Sequence, residues 1–440
     1  MLSKYNIVII ISLIIVMTEG CRTTKTTVDS KDLSYIYNPL KNSINPRYAI
    51  LNQTDETSNL EIKFFNNDLF FSEANPTGLP TAKILILVRL YNITQGRILA
   101  DTAFYSLNIV KNTSRNEYLY KIPLKVEKGI EYITEVKVLD QIRKLMVQAF
   151  IPFNTLSIAN RYNFYIRGHF LNNELLKPIV RKDEFFNLVY QREKIDSIYV
   201  SVFKPYEEIP YPPSMVLPEK PAQTEPDTVI ALPYVDTLPL MFPRKGIYLF
   251  TIGRDMDEGY SVFNFGSDFP GTDTPEEMLE PLAYLASTDE MAELKSEPKP
   301  KMALDDFWLK CGGNVEKARE LIRIYYTRVL YANYYFTSYK DGWRTDRGMI
   351  YIIYGPPDKI YKSSDEESWG YVKPVVKSRW GSRYSVKQEY LYFNFKLRKN
   401  RYSDNEYSLS RSETVVTNWD QAILSWRKGV VYRLDNPAEF

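Results

Sequence analysis

Between residues 47 and 152 the chain is a series of short segments in which apolar and polar residues alternate. Leu60–Phe64 and Ile130–Val138 show the alternation most clearly, while Ile84–Leu90 is more continuously apolar. A period of two places successive side chains on opposite faces, so the alternating segments predict half-buried strands and the apolar segment predicts a central strand. Short strands without helical periodicity predict an immunoglobulin-like β-sandwich domain over residues 47–152.

The same pattern continues over residues 153–268 and predicts a second immunoglobulin-like β-sandwich domain. The strand segments are residues 163–167, 185–189, 197–203, 228–232, 246–252 and 260–265. A proline-rich insertion from Pro210 to Pro226 interrupts them. It predicts an extended loop along a sheet edge, with a polyproline ligand for a partner as the alternative.

After Gly271 the periodicity changes from strand to helix. Asp273-Thr274-Pro275 predicts a helix start, and Asn314 predicts the cap of a long helix whose apolar positions recur every three or four residues. Residues 349–354 are a short apolar run between glycine-containing turns, and they predict a strand in the middle of a sheet. Residues 269–440 therefore predict an α+β C-terminal domain.

A distinctive motif precedes that apolar run. Residues 342–348 read Gly-Trp-Arg-Thr-Asp-Arg-Gly, and residues 355–358 read Gly-Pro-Pro-Asp. This combination resembles the signature of the GWxTD-domain family, whose members are mostly Gram-negative cell-envelope proteins, often lipoproteins, with no established biochemical activity. The resemblance implies β-rich domains before the motif and is most specific from about residue 270 onward.

The N-terminus has the pattern of an export signal. Lys4 precedes an apolar run from Ile7 to Met17, which is shorter than the roughly 20 residues of a membrane-spanning helix. Cys21 follows Gly20 at the expected cleavage position, so residues 1–20 predict a lipoprotein signal peptide and Cys21 a lipidated, membrane-anchored first residue. Residues 21–46 predict a flexible tether. No acidic pair follows Cys21, and the resemblance implies an outer-membrane lipoprotein that faces the periplasm.

Composition narrows the possible chemistry. With 56 basic and 54 acidic residues, the net charge of +2 gives no reason to expect a nucleic-acid partner. His169 is the single histidine, and Cys21 and Cys311 are the two cysteines. These numbers disfavour a Ser-His-Asp triad, a histidine-rich zinc site or a CxxC redox pair, so we expect no cofactor and no metal.

Several residues in and around the motif are candidates for binding. If residues 349–354 form a strand, the strand separates Asp346 from Asp358 by about 20 Å, too far for a catalytic carboxylate pair. Asp346 then becomes a turn residue that accepts backbone N–H groups or pairs with Arg347. Trp343 is either a core residue or an interface anchor. The candidate binding residues are Trp343, Asp346, Arg347, Tyr354 and Asp358, and no catalytic residue is assigned.

These features predict a non-catalytic interaction or assembly component of the cell envelope, with other envelope proteins as partners. The alternative is a carboxylate-dependent hydrolase or a glycan-binding module acting on envelope polysaccharide. The aromatic content of 14% favours a β-rich protein and is compatible with a glycan-binding surface. Residues 365–367 are three consecutive acids and predict a solvated loop rather than a calcium site.

Overall fold

The computed structural model describes residues 32–38, 44–72, 78–171, 173–216, 221–254, 256–373, 376–380, 383–387, 389–411 and 416–434. Within these residues the protein is mostly β-sheet, and its α-helices lie in the C-terminal part of the chain. The predicted signal peptide and Cys21 lie outside the described residues.

The first seven strands form two antiparallel sheets that share one hydrophobic core. They are β1 (Arg47–Asn52), β2 (Thr57–Phe65), β3 (Thr81–Asn92), β4 (Ile98–Val110), β5 (Glu117–Lys125), β6 (Glu131–Asp140) and β7 (Leu145–Asn154). One sheet has the order β1-β2-β5 and the other the order β4-β3-β6-β7. Leu60 and Ile62 of β2 share the core with Ile84 and Ile86 of β3, because alternate residues of each strand point inward. We call these strands the N-terminal sheet pair.

The next eight strands form a second sheet pair. They are β8 (Phe164–Gly168), β9 (Glu174–Leu175), β10 (Ile179–Val180), β11 (Phe186–Tyr190), β12 (Ser197–Phe203), β13 (Thr228–Pro233), β14 (Gly246–Thr251) and β15 (Tyr260–Asn264). The sheet orders are β11-β8-β9 and β10-β15-β14-β12-β13. Phe164 and Phe186 from the smaller sheet share a core with Val200 and Phe250 from the larger one.

The C-terminal region combines helices with a four-stranded sheet and a separate two-stranded sheet. Its helices are α1 (Pro275–Leu279), α2 (Thr288–Ser296), α3 (Pro300–Gly312), α4 (Val315–Phe336), α5 (Asp346–Tyr354) and α6 (Val416–Arg427). Its strands are β16 (Lys359–Lys362), β17 (Glu366–Val372), β18 (Val376–Trp380), β19 (Arg383–Lys387), β20 (Tyr390–Leu397) and β21 (Tyr407–Leu409). The sheet order β16-β17-β20-β21 places Trp369 and Phe395 in one core with Trp308, Tyr325 and Phe336 of the helices.

The predicted strand over residues 349–354 is wrong, because these residues belong to helix α5. The Thr345 hydroxyl accepts a hydrogen bond from the Gly348 N–H at 3.0 Å and so caps the helix start. Every residue of α5 is buried, so the helix has no polar face to give its sequence a period near 3.6. A short apolar run of this kind fits either a buried strand or a buried helix.

The predicted tether is also wrong for part of its length. Residues 34–37 form a 3-10 turn in which Leu33 and Tyr37 pack into the core of the C-terminal region. The Leu33 N–H donates to the Ile360 carbonyl of β16 at 2.9 Å. Tyr37 is buried because its ring packs against Phe336 and Trp369. This short apolar segment lies within an otherwise polar stretch, which is why composition alone missed it.

Candidate functional site

The motif at residues 342–348 forms a 3-10 turn that runs directly into helix α5. A Cβ on Gly342 would lie 2.0 Å from the Ala332 carbonyl oxygen of α4. A Cβ on Gly348 would lie 2.0 Å from the Gly342 carbonyl oxygen. Both distances are far below van der Waals contact, so the two glycines allow the turn, α4 and α5 to approach one another closely.

Trp343 is a core residue rather than an exposed anchor. Its side chain is buried against Tyr284, with ring centroids 6.0 Å apart, and its backbone N–H donates to Asn333 Oδ1 at 3.0 Å. Trp343 also lines a small pocket of about 80 Å³, together with Asp341 and Arg344. Burial raises the pKa of the Asp341 carboxyl to about 6 despite the nearby Arg344 guanidinium.

Asp346 is buried and bound by partners that the sequence did not suggest. Its carboxylate accepts a hydrogen bond from the Leu409 N–H at 2.7 Å and pairs with Arg411, with an N–O distance of 3.1 Å. The prediction that Asp346 accepts a backbone N–H is therefore confirmed. The predicted alternative, a pair with Arg347, is wrong. Asp346 joins the start of α5 to strand β21 and the residues that follow it.

Arg347 belongs to a second buried network, centred on Glu367 of β17. Glu367 Oε1 lies 3.1 Å from Arg347 Nη1 and 2.7 Å from Lys362 Nζ. Tyr37 Oη donates to the same carboxylate at 3.1 Å, and Trp369 Nε1 does so at 3.1 Å. Burial alone would raise the pKa of Glu367, but Lys362 and Arg347 hold it at about 2. We call this set of side chains the Glu367 network.

The prediction of a solvated acidic loop at residues 365–367 is wrong for Glu367. Glu366 begins strand β17 with an exposed side chain, and Glu367 is 1% exposed. Consecutive residues of a strand point to opposite faces, so one carboxylate faces solvent and the next enters the core.

The remaining candidates lie in different surroundings. Tyr354 is buried at the end of α5 among the rings of Tyr371, Phe393 and Tyr432, with centroid distances of 5.0–5.6 Å. Asp358 is exposed, and its Oδ2 accepts the Val372 N–H at 2.9 Å. The five candidate residues thus contact separate partners and do not form one shared binding site.

A turn at residues 398–404 contacts both sheet pairs, a role that the sequence did not indicate. Lys399 pairs with Glu131 of β6 at 3.3 Å, and Arg401 pairs with Asp257 at 3.0 Å. Asp404 pairs with Arg161 at 3.1 Å. The turn lines a cleft of about 530 Å³ where the three regions meet. The basic run at residues 396–401 was the one sequence signal for it.

A second cavity of about 400 Å³ lies at the same junction and holds an unusual carboxyl pair. We call it the junction cavity. Glu61 of β2 and Glu174 of β9 both line it, and Lys121 Nζ lies 2.9 Å from Glu61 Oε1 and 2.6 Å from Glu174 Oε1. Burial, followed by the hydrogen bond to the Glu174 carboxyl, raises the pKa of Glu61 to about 7. The two residues are 113 positions apart, so no local pattern could have indicated their meeting.

Three buried polar atoms along the junction cavity make no hydrogen bond within the described residues. They are Tyr48 Oη, Glu174 Oε2 and Ser261 Oγ. Buried polar atoms are usually hydrogen-bonded to protein or to ordered water. The junction cavity therefore offers hydrogen-bonding capacity that the protein itself does not use.

These features define a β-rich protein whose C-terminal helical region is assembled around buried, paired charges. Residues 246–428 match the family model of the GWxTD domain. The chain therefore carries a GWxTD domain, and the resemblance inferred from residues 342–358 is confirmed. The match begins at the first residue of β14, earlier than the residue 270 that the motif suggested.

No curated protein matches the chain. Among the residues that the structure describes, none of the helices is both long enough and apolar enough to span a membrane. The same residues contain no group of three or more His, Cys, Asp or Glu side chains arranged to hold a metal ion.

Proposed function

We propose that this protein is a non-catalytic interaction and assembly component of the cell envelope, anchored to the outer membrane through Cys21 and facing the periplasm. Its partners are other envelope proteins, beginning with a second copy of this chain. The GWxTD motif supports a structural role for the C-terminal region, because Trp343, Thr345, Asp346 and Arg347 are all buried and bound within the fold.

The single observation that carries the proposal is the open edge of strand β4. In the described part of the chain β4 pairs only with β3, which leaves its other edge without a ladder. Ile98, Leu99 and Phe104 are 60%, 55% and 63% exposed. The strand is 13 residues long and has one charged residue, Asp101, and no lysine, proline or glycine. Natural edge strands are usually protected by charges, proline or a β-bulge. The register with β3 shifts at Ala100, so the regular segment 101–110 is the part of β4 that is suited to accept another strand.

The strand order supports an immunoglobulin-like identity for the N-terminal sheet pair. An immunoglobulin constant-type sandwich has the orders 1-2-5-4 and 3-6-7 when its strands are numbered along the chain. The N-terminal sheet pair has 1-2-5 and 4-3-6-7, which is the same arrangement with strand 4 moved to the other sheet. This placement leaves β4 at an edge with both of its faces partly open.

A second copy of β4 is the occupant that the strand composition favours. In antiparallel pairing centred on Phe104, Asp101 lies opposite Leu107 and Thr102 lies opposite Ser106, all within the segment that follows the register shift at Ala100. No two like charges face each other in this register, whereas facing charges would weaken the pairing. Two copies would thereby form one continuous eight-stranded sheet across a two-fold axis.

Disulfide trapping in the full-length, membrane-bound protein tests this register. We expect Phe104→Cys to form a dimer on mild oxidation, because the two Cβ atoms at the axis lie about 4.5–5.5 Å apart. Asn108→Cys lies on the same face of the strand but opposite Ala100, so it serves as the matched control and should stay monomeric. Equal cross-linking of both variants, or of neither, would overturn pairing in this register.

Replacement of the anchor cysteine tests the proposed location. Cys21→Ala should leave the protein unprocessed or release it from the membrane fraction, and labelled fatty acid should no longer be incorporated. Cys311→Ala is the control, because this buried thiol lies within the C-terminal core. Unchanged membrane association of Cys21→Ala without lipid label would contradict the anchor. Protease added to intact cells should leave the protein undigested. Digestion in intact cells would show that the protein is exposed at the cell surface.

The carboxyl pair Glu61–Glu174 favours the second candidate, a carboxylate-dependent hydrolase or a glycan-binding module. A carboxyl with a pKa of about 7 could donate a proton near neutral pH, as a general acid does in glycoside hydrolysis. If this candidate holds, Glu61→Gln should abolish release of sugar from envelope polysaccharide, and exposed Glu56→Gln should not. Absence of any release by the wild type would contradict the hydrolase.

A further inference from the structure

A third cavity, of about 230 Å³, is rich in cationic side chains. It lies between the N-terminal sheet pair, the segment at residues 175–184 and helix α4. We call it the cationic pocket. Its charged residues are Arg47, Lys63, Lys177, Arg181, Glu117 and Glu184. Four positive groups therefore share it with two carboxylates.

The two carboxylates have partners of their own. Glu117 pairs with Lys63 at 2.8 Å, and Glu184 Oε2 accepts the backbone N–H of Arg181 at 3.0 Å. In the part of the chain that the structure describes, neither Arg47 nor Lys177 forms an ion pair with a carboxylate. Arg47 Nε is buried and makes no hydrogen bond there. Among the residues that line the cationic pocket, positive groups thus outnumber carboxylates, and Asp68, outside the lining, is a further carboxyl that interacts with Arg47.

Aromatic rings and a backbone carbonyl hold the two unpaired cations in place. The Arg47 guanidinium lies 4.6 Å from the Phe65 ring centroid and 5.4 Å from that of Tyr334. Lys177 Nζ donates to the Tyr334 carbonyl at 2.7 Å and lies 5.0 Å from the same ring. These contacts position the groups without supplying negative charge, so they pre-organise the pocket for an anion.

Proximity of the cations is unfavourable when the pocket is empty. Burial, followed by the positive charge of Arg47, lowers the pKa of the Lys177 ammonium to about 7. An anion bound between the two groups would remove this repulsion and restore the ordinary charge of the lysine.

We propose that the cationic pocket binds a phosphate-class oxyanion between Arg47 and Lys177. A guanidinium presents paired N–H donors that match two oxygens of such an anion, and an ammonium adds a point charge beside them. Much of the remaining wall is apolar, formed by Leu175, Leu176, Ile179 and Phe269. The anion can therefore be free phosphate or the phosphate of an ester such as a lipid headgroup. None of the residues that line the cationic pocket belongs to β4, so this proposal does not depend on self-association through that strand.

Calorimetric titration of the full-length protein with inorganic phosphate, against chloride at equal ionic strength, tests the proposal. We expect phosphate to bind the wild type, and we expect Arg47→Gln and Lys177→Gln each to weaken the affinity at least about tenfold, as loss of a charged hydrogen-bond donor does. Lys301→Gln removes an exposed lysine of α3 and is the matched control that should bind as the wild type does. Circular dichroism verifies that each variant is folded. Two separate substitutions keep the test decisive if one of them fails to fold.

Proton uptake provides an independent measurement. Since Lys177 is partly neutral at pH 7.5, phosphate binding should take up a proton, and the binding heat should differ between Tris and HEPES buffers. The Lys177→Gln variant should lose this uptake and retain only the proton exchange of phosphate itself, whose second pKa is about 7. Glycerol phosphate that binds about tenfold more tightly than inorganic phosphate would identify an ester as the source, and equal or weaker binding would identify free phosphate. Binding of neither ligand, or binding that both variants retain, overturns the proposal.

Discussion

Two buried glutamates show how differently the C-terminal region and the junction cavity treat a charge. Glu367 and Glu61 are 1% and 2% exposed, yet the pKa of the first is lowered to about 2 and that of the second is raised to about 7. Glu367 has two cations and two neutral donors around its carboxylate, whereas Glu61 has one lysine and a second carboxyl. Burial raises the pKa of both carboxyls; the cations around Glu367 reverse this shift, whereas the single lysine beside Glu61 does not.

This difference indicates that the Glu367 network is part of the structural framework and that the junction cavity is a candidate functional site. The lowered pKa keeps Glu367 ionised near neutral pH, and the Glu367 network joins residues 34–37, α5 and the sheet, as a framework requires. The carboxyl pair at the junction cavity can change its protonation near neutral pH, as groups at functional sites often do. The four predictions that follow act on this contrast, from the largest expected effect to the smallest.

Removing the charge of Glu367 should have the largest effect. Glu367→Gln leaves Arg347 and Lys362 buried without their counter-charge, and we expect the free energy of unfolding to fall by about 3–5 kcal/mol in denaturant titrations at pH 7. The folded pKa is lowered, so the stabilisation is present above the ordinary pKa of 4.5 and is lost as pH falls toward 2. The difference in the free energy of unfolding between the wild type and Glu367→Gln should therefore disappear as pH falls from 4.5 toward 2. A gap independent of pH would contradict the ion-pair explanation.

Removing the charge of Glu61 should act in the opposite direction. Its folded pKa is raised, so wild-type stability should decrease as pH rises from 4.5 through 7. Glu61→Gln has no proton to lose and should exceed the wild type above pH 7, by no more than about 3 kcal/mol. Thermal melts of both proteins at pH 5 and pH 8 measure the crossing. A variant less stable than the wild type at pH 8 would show that Lys121 needs the Glu61 charge.

Sequence patterns predict features formed by neighbouring residues, but they do not predict contacts between residues that are far apart in the chain. Local signals succeeded at two helix starts, since Thr274 and Asn314 cap α1 and α4. The strand segments predicted over residues 47–268 coincide with β2, β3, β6, β8 and β11 to β15. The signal failed where every residue is buried, as in α5, because a helix and a strand then look alike. It also failed for contacts between distant residues, such as Glu61 with Glu174 or Tyr37 with Glu367, which only the folded chain brings together.

Strain at the end of α5 tests the framework without changing charge. Gly355 has φ of +85°, and a Cβ there would lie 2.8 Å from Arg328 Nη2. The Arg328 guanidinium donates to the last carbonyls of α5, at 2.8 Å for Ile352 and 3.0 Å for Ile353. Gly355→Val should therefore destabilise the protein by about 1–3 kcal/mol in thermal or denaturant melts. Gly313→Val is the control, because Gly313 has φ of +72° with no atom within 4 Å of its Cβ. Equal destabilisation by Gly355→Val and Gly313→Val would mean that backbone strain accounts for the whole effect.

The smallest effect should come from single hydroxyl groups, one in each environment. Tyr37→Phe removes a donor to Glu367, and we expect a loss of about 1.5 kcal/mol, the lower end for hydrogen bonds to charged groups, since three other donors remain. Tyr48→Phe is the matched substitution at the junction cavity, where the hydroxyl has no partner within the described residues, and it should be close to neutral. Denaturant titration of both variants compares them directly. A substantial loss for Tyr48→Phe would mean that the hydroxyl binds water or a ligand in the junction cavity, because a buried hydroxyl with no partner has no hydrogen bond to lose. An unchanged free energy of unfolding for Tyr37→Phe would instead show that residues 34–37 contribute packing, and no polar stabilisation, to the Glu367 network.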